Sequence, residues 1–401
     1  MLNADGQREL AYVTRIDAIE PIEGSDNCEC ACVLGWRVMV RKGTFQEGDL
    51  AIYFEVDSQI DITKPEFAFL AAKHGKIKTQ RYTFGGKGKF ISQGLLMSFK
   101  DFGWTPESHS NGDFVTKELG VTYTEPEDNY RKATIDPCKS MMDRHAKLFK
   151  SRFGKWIMKR KWGRKIMLFL FGSKRNGKKE WPVGKFPGVS KTDQERIENM
   201  PYILEEDVKW ICTQKCDGSS ATYILEKKPF GRYEFYVCSR NVRMNTPKDK
   251  CYHSENVYWE MAFKYDIEAK MKQVLKNYSC GRFVCWQGEI CGPSIQKNPH
   301  GLSENHLFLF HWTDGGYISR WDIRDAVRAW KAYGMETVPV EQEAINLPKD
   351  LEELKLMADG QYDPSVCEGK TDRLREGFVY YSVNDPRRSF KNVSREYLLS
   401  K

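Results

Sequence analysis

Histidine is scarce in this chain, at 7 of 401 residues, and His253 and His300 stand alone, so no histidine-based chemistry is read from it. No apolar run approaches the roughly 20 residues that a membrane span needs; Ile166-Met167-Leu168-Phe169-Leu170-Phe171 is far too short. No secretory signal is read in Met1-Leu2-Asn3-Ala4-Asp5, so the expectation is a reducing intracellular compartment, cytoplasm or nucleus, with no membrane partner. The 12 cysteines lack the spacing of a zinc knuckle. Cys28-x-Cys30-x-Cys32 alternates at strand period and sets three thiols on one sheet face, and the other cysteines are dispersed. Acidic residues are missing from Arg144 to Lys179, where there are fourteen Lys or Arg. The chain carries +8 overall and would be net negative without that segment.

What is present suffices for two domains with real cores, at 40% hydrophobic and 13% aromatic residues. The first hundred residues read as short strands separated by Gly and Asp-Asn turns: Leu10 to Ile19, Cys28 to Val33, Trp36 to Val40 and Leu50 to Val56. That pattern predicts a small barrel. Lys73 to Lys89, with Arg81, Tyr82 and Phe84, reads as a basic loop or hairpin of the barrel, suited to a nucleic-acid strand or simply solvated. Leu148, Phe149, Phe153, Trp156 and Ile157 recur at helical spacing among lysines and arginines, which predicts a basic amphipathic helix. A nucleic-acid footprint, a solvated linker and a membrane-surface helix all fit it. Trp321 to Tyr333 and Leu351 to Met357 read as amphipathic packing helices.

Lys215-Cys216-Asp217-Gly218 is the stretch with chemistry in it. Asp207 to Thr213 reads as a strand entering it and Ser219 to Leu225 as the strand leaving it, with Asp217-Gly218 as the turn. Lys215 therefore stands at a strand end. An ordinary lysine, with a pKa of about 10.4, is protonated at neutral pH, so a nucleophilic one needs its lone pair freed by its surroundings. A solvated lysine on a hairpin turn gives the same letters. Further polar clusters follow in apolar runs: Ser239-Arg240-Asn241, Gln287-Gly288-Glu289-Ile290-Cys291-Gly292, Leu307 to Trp312, Glu376-Gly377-Phe378-Val379-Tyr380-Tyr381 and Ser389-Phe390-Lys391-Asn392.

In this order the clusters resemble the motifs of the covalent nucleotidyltransferases, the superfamily of ATP-dependent DNA ligases, RNA ligases and mRNA capping enzymes. The resemblance implies that Lys215 becomes adenylylated. It implies that Gln214, Asp217, Gly218 and Arg240 line the nucleotide, that Phe310 stacks on the base, and that Lys391 contacts the α-phosphate. Asp217, Glu289 and Glu376 would hold Mg²⁺ or Mn²⁺, mainly through water. This sequence departs from the superfamily in having Ser389 where a second lysine is common, Gln214 where many RNA ligases have Glu, and His311 where Asp is frequent.

Only ten residues follow Lys391, which leaves no space for a C-terminal OB domain of the DNA-ligase or capping-enzyme kind. Barrel first and catalytic half second is similar to the RNA ligases of the Deinococcus and Naegleria type. Gly43 to Asp57, Ser92 to Leu96, Lys191 to Asn199 and the motifs above carry that likeness. It implies an α+β fold: an OB-like RNA-binding module over 1–130, a basic linker over 131–185 and a nucleotidyltransferase domain of antiparallel sheets with flanking helices over 186–401. It further implies an ATP-dependent, monomeric RNA ligase that joins 3′-hydroxyl and 5′-phosphate ends, as at a nick. A DNA ligase, an mRNA guanylyltransferase or a non-catalytic RNA-binding protein of ligase-like fold are the alternatives.

Overall fold

The computed structural model describes residues 8–123 except 87, then 157, 160, 167, 181, and 184–401 except 250, 252, 254, 279 and 317–319. The expected basic helix around 148–157, Ile157 apart, and most of the 131–185 linker lie outside the described residues.

Alternation at period two builds the N-terminal module. Its strands are β1 (Ala11–Arg15), β2 (Ala18–Pro21), β3 (Cys28–Val33), β4 (Trp36–Arg41), β5 (Leu50–Phe54), β6 (Ser58–Gln59), β7 (Gln80–Phe84), β8 (Gly88–Ser92), β9 (Leu95–Ser98) and β10 (Thr122–Tyr123). They form sheets in the orders β1-β5-β9, β2-β3-β4, β7-β8 and β10-β6, with the one-turn helix α1 (Thr116–Leu119) between β9 and β10. β5 shows why one strand can serve two cores. Ile52 and Phe54 pack with Leu10, Val13, Phe67 and Met97, while Ala51 and Tyr53 face Tyr12, Val33, Trp36 and Val38. The run expected from Leu10 to Ile19 is broken into β1 and β2 at Ile16 and Asp17, whose amides donate to Asp49 and Cys32 carbonyls on different neighbours.

The second half holds β11 (Glu195–Arg196), β12 (Trp210–Gln214), β13 (Ser219–Lys227), β14 (Tyr233–Ser239), β15 (Arg243–Met244), β16 (Phe283–Cys291), β17 (His306–Asp314), β18 (Val340–Ile345), β19 (Gly377–Ser382) and β20 (Ser389–Val393). Two five-stranded sheets result, ordered β11-β20-β19-β12-β18 and β15-β14-β13-β16-β17. Every pairing between these strands is antiparallel except that of β11 with β20. β13 is central and covered on both faces, so it reads as a near-continuous apolar run.

Five helices among the described residues flank these sheets: α2 (Val257–Lys264), α3 (Ile267–Asn277), α4 (Ile323–Ala332), α5 (Leu351–Met357) and α6 (Arg395–Ser400). α4 buries Ile323, Ala326, Val327 and Trp330 at helical spacing and is capped by Asp322, whose side chain accepts the Arg324 amide at 2.8 Å. Trp330 joins Trp286 and Trp312 in the main core, with ring centroids 5.3–6.4 Å apart, and that core also takes Ile211, Val379 and Tyr381 from the other sheet. The chain is thus an α+β protein with a strand-rich N-terminal module ahead of a two-sheet domain.

The two halves meet at the β3–β4 turn. Gly35 has φ +76°, which favours glycine, and a side chain there would come within 2.8 Å of Leu351 on α5. The Arg395 guanidinium of α6 faces the Gly35 carbonyl, and Arg196 lies over the Trp36 ring at 5.7 Å. The basic hairpin β7–β8 turns Tyr82 and Phe84 inward against Cys28, Cys30 and Met39. The exposed positions on its two strands are Arg81, Thr83 and Lys89, so its outward face is basic rather than aromatic.

Candidate active site

Lys215 lies between the two sheets, since β12 of one sheet ends just before it and β13 of the other begins at Ser219. Its amide donates to the Gly377 carbonyl at 2.9 Å, which fixes the backbone against the start of β19. Gly218 is not a left-handed turn residue here, contrary to the expectation of an Asp-Gly turn. A Cβ on it would sit 2.2 Å from the Ile290 carbonyl and 2.9 Å from the Glu289 side chain. Glycine is needed so that β13 can approach β16, which brings Glu289 up to the motif.

Lys215 Nζ donates to Glu376 Oε2 at 2.7 Å, with both side chains less than a quarter exposed. Burial alone would push the lysine down, but Glu376, Glu289 and Asp217 outweigh it and hold the ammonium above the usual lysine range. Glu289 moves the other way. Burial, with Glu376 and Asp217 nearby, raises its carboxyl to about 8 despite the opposing Lys215. Lys391 on β20 is lowered to about 8 by burial and by the neighbouring cations Arg196 and Lys215. Three carboxyl groups face Lys215, with Glu289 driven towards its neutral form and Asp217 and Glu376 ion-paired to Lys401 and Lys215. Such a donor set of hard oxygens suits a divalent cation such as Mg²⁺ or Mn²⁺.

Beside Lys215 is a narrow pocket lined by Thr192, Gln214, Glu289, Phe310, Val338 and Tyr381. Phe310 supplies its aromatic wall. Both ends of the Gln214 amide are engaged: its NH₂ donates to Glu341, and its oxygen accepts the Asp363 amide at 2.9 Å. A larger cavity of about 600 Å³ opens between α4 and β18, lined by Arg324, Arg328 and Lys331. It shares Val338 with the narrow pocket but contains none of the carboxylates, so the chemistry belongs to the smaller one.

The structure brings Gln214, Lys215, Asp217, Gly218, Glu289, Phe310, Glu376 and Lys391 to one place. Arg240 stands at the rim, exposed and paired with Asp193 at 2.7 Å. Other participants were not visible in the motifs. Asp217 accepts the Tyr397 hydroxyl of α6 and is ion-paired to Lys401. Arg196 lies opposite Lys391 in the β11–β20 pairing. Thr192 is linked to Ser220 by a hydroxyl–hydroxyl hydrogen bond of 2.7 Å. The segment from Lys191 to Asn199 carried a signal, as part of the family likeness, whereas Tyr397 had none.

Comparison with known proteins agrees with this arrangement. An OB-fold domain model matches residues 10–99 and an RNA ligase model matches residues 208–393. No curated protein matches the sequence. Among solved structures, a Naegleria gruberi RNA ligase variant with ATP and Mn aligns at 25% identity and TM-score 0.63, over 98% of this chain and 99% of that one. The same ligase with PPi aligns at 26% identity and TM-score 0.62, over 98% of each chain. A variant with AMP and Mn gives 25% and 0.63, over 98% and 99%. With the motifs gathered at one pocket, these matches identify an OB-fold domain at 10–99 ahead of an RNA ligase domain at 208–393, in an arrangement similar to the Naegleria ligase over nearly the whole chain.

Proposed function

We propose that this RNA ligase uses ATP to join a 3′-hydroxyl to a 5′-phosphate RNA end through an adenylylated Lys215. The observation that carries the reading is Lys215 Nζ, 2.7 Å from Glu376, among three carboxylates beside a pocket walled by Phe310. The Naegleria ligase's structures with ATP, AMP and PPi support the nucleotide and the leaving group.

Lys215 is held as an ammonium by Glu376, Glu289 and Asp217, so its lone pair must be released when ATP binds. A divalent cation held by Asp217, Glu289 and Glu376, mainly through water, would neutralise those carboxylates and stabilise charge on the phosphates. Lys215 Nζ then attacks the α-phosphorus; the new P–N bond forms as the bond to pyrophosphate breaks. Two protons leave Nζ: Glu376, already accepting from it, takes the one whose loss frees the lone pair, and the second, lost as the P–N bond forms, passes to solvent. Phe310 stacks on adenine and Lys391 neutralises the α-phosphate. In the second step an RNA 5′-phosphate oxygen displaces Lys215 from phosphorus. In the third, a 3′-hydroxyl attacks the activated 5′-phosphate and AMP leaves. Arg240 is placed at the rim to contact the polynucleotide once released from Asp193.

The same reading divides the chain into an RNA-binding module over 1–130, a basic linker over 131–185 and the adenylylating domain over 186–401. It takes RNA as partner, a monomer as the working unit and an intracellular compartment as its location. Among the described residues no helix is long and apolar enough to cross a membrane. The test is sealing of a nicked duplex with the 3′-hydroxyl strand as RNA or DNA, with ATP or GTP and Mg²⁺ or Mn²⁺. Joining with ATP and an RNA 3′-hydroxyl is expected; joining only with DNA strands, or only with GTP, would overturn the reading.

A further inference from the structure

Away from the ligase pocket, the N-terminal module gathers a second set of metal-binding atoms. Glu20 on β2 lies directly opposite Cys30 on β3, and Cys32 is two residues further along the same strand, so all three side chains emerge on one face. Their ligand atoms all lie within 4.8 Å of one another. The two sulfurs are 3.8 Å apart. A tetrahedral zinc with Zn–S bonds of about 2.3 Å separates two thiolates by about 3.8 Å, so the sulfurs already stand at the edge length such an ion requires. Both cysteines are free. Two residues apart on an extended strand, their Cα atoms are near the upper limit that a disulfide can bridge, so metal binding is the geometrically easier use of the pair.

The surroundings suit a cation that is exchanged rather than sealed in. Cys30 is buried and Cys32 half-buried, while the Glu20 side chain is 44% exposed and opens the site to solvent. Arg37 pairs with Glu20 at 2.7 Å and is opposite Cys32 across β3 and β4, so it orients the carboxylate. We propose that Glu20, Cys30 and Cys32 form a binding site for a borderline-soft divalent cation, Zn²⁺, with water in the fourth position. Thiolates select such ions over the Mg²⁺ or Mn²⁺ used in ligation, so the two metal sites are chemically separate. The ion would pin β2, an edge strand of its sheet, to β3 beneath the basic β7–β8 hairpin.

The test uses the full chain, reduced with a phosphine, stripped with chelator and titrated with Co²⁺ and then Zn²⁺. One equivalent of Co²⁺ should give the visible bands of a tetrahedral site and a thiolate charge-transfer band, both abolished by Zn²⁺. Cys30→Ser and Cys32→Ser should lose the bands, Glu20→Gln should weaken binding about tenfold or more, and Cys28→Ser should leave it unchanged. Because a serine at buried Cys30 could unfold the module, the unsubstituted protein is also alkylated with and without Zn²⁺ and mapped by mass spectrometry. Zn²⁺ should protect Cys32 and Cys30 but not Cys251. Absence of saturable one-equivalent uptake, or uptake insensitive to Glu20→Gln with protection elsewhere, would overturn the site.

Discussion

Lys215 with Glu376 and Lys355 with Glu198 are both lysine–glutamate pairs in the second half of the chain, yet their surroundings drive them in opposite directions. Lys355 and Glu198 are 3% and 0% exposed, sealed between α5 and the segment that docks on the N-terminal module. Burial lowers Lys355, and Arg196 and Arg395 lower it further, while Glu198 answers with one negative charge. At Lys215 three carboxylates surround one lysine, and the pair keeps contact with solvent at 23% and 15% exposure. One pair is balanced and closed. The other opens to solvent and faces two further carboxyl groups, so an incoming cation and nucleotide can rearrange it. Depressed basicity does not single out the lysine proposed as nucleophile: Lys355 and Lys391 are both lowered, whereas Lys215 is raised.

Breaking the closed pair should cost most. Lys355→Met leaves Glu198 buried without its cation, and about 3–5 kcal/mol of stability is expected to be lost at neutral pH by chemical denaturation. The pH dependence has a definite sign. In the native protein the Glu198 carboxyl is lowered, so its contribution is present above its ordinary value and lost as pH falls. Without Lys355, burial raises the same carboxyl, and the variant recovers as Glu198 is protonated. The stability gap between the two proteins should thus be widest near pH 7–8 and narrow towards pH 4. A gap independent of pH would mean that packing, not charge, was lost.

Glu376→Gln attacks the open pair. If Lys215 needed only a lower pKa, removing its nearest carboxylate would speed adenylylation. A role in metal binding and proton acceptance instead predicts a loss of roughly 10²–10³-fold in the rate of labelling, with little change in stability. Phe310→Ala sharpens the comparison at the smallest scale. Stacking contributes about 0.5–1.5 kcal/mol, so KM for ATP should rise about 2–10-fold with kcat nearly unchanged.

How much of this could be read from the chain depended on sequence distance. Lys215, Glu289, Glu376 and Lys391 each end or begin an apolar run, and alternation located β3 and β13 to within a few residues. Leu351–Met357 is helical as its spacing predicts. Contacts between remote segments left no such trace. Tyr397 meets Asp217 across 180 residues, and Arg196 meets Lys391 through the parallel pairing that antiparallel hairpin signals do not announce. Gly218 was legible as a glycine but for a different reason, since close strand approach rather than turn geometry requires it. Cys30 and Cys32 showed their shared face, but Glu20 came from a neighbouring strand whose register the sequence does not state.

Covalent catalysis at Lys215 is tested most directly by incubating the protein with α-labelled ATP and Mg²⁺ or Mn²⁺, followed by denaturing electrophoresis and mass mapping of the labelled peptide. AMP should be found on Lys215 in the unsubstituted protein and in Lys355→Arg, and no label should appear in Lys215→Ala. Label retained by Lys215→Ala, or mapped to Lys355 or Lys391, would contradict the assignment.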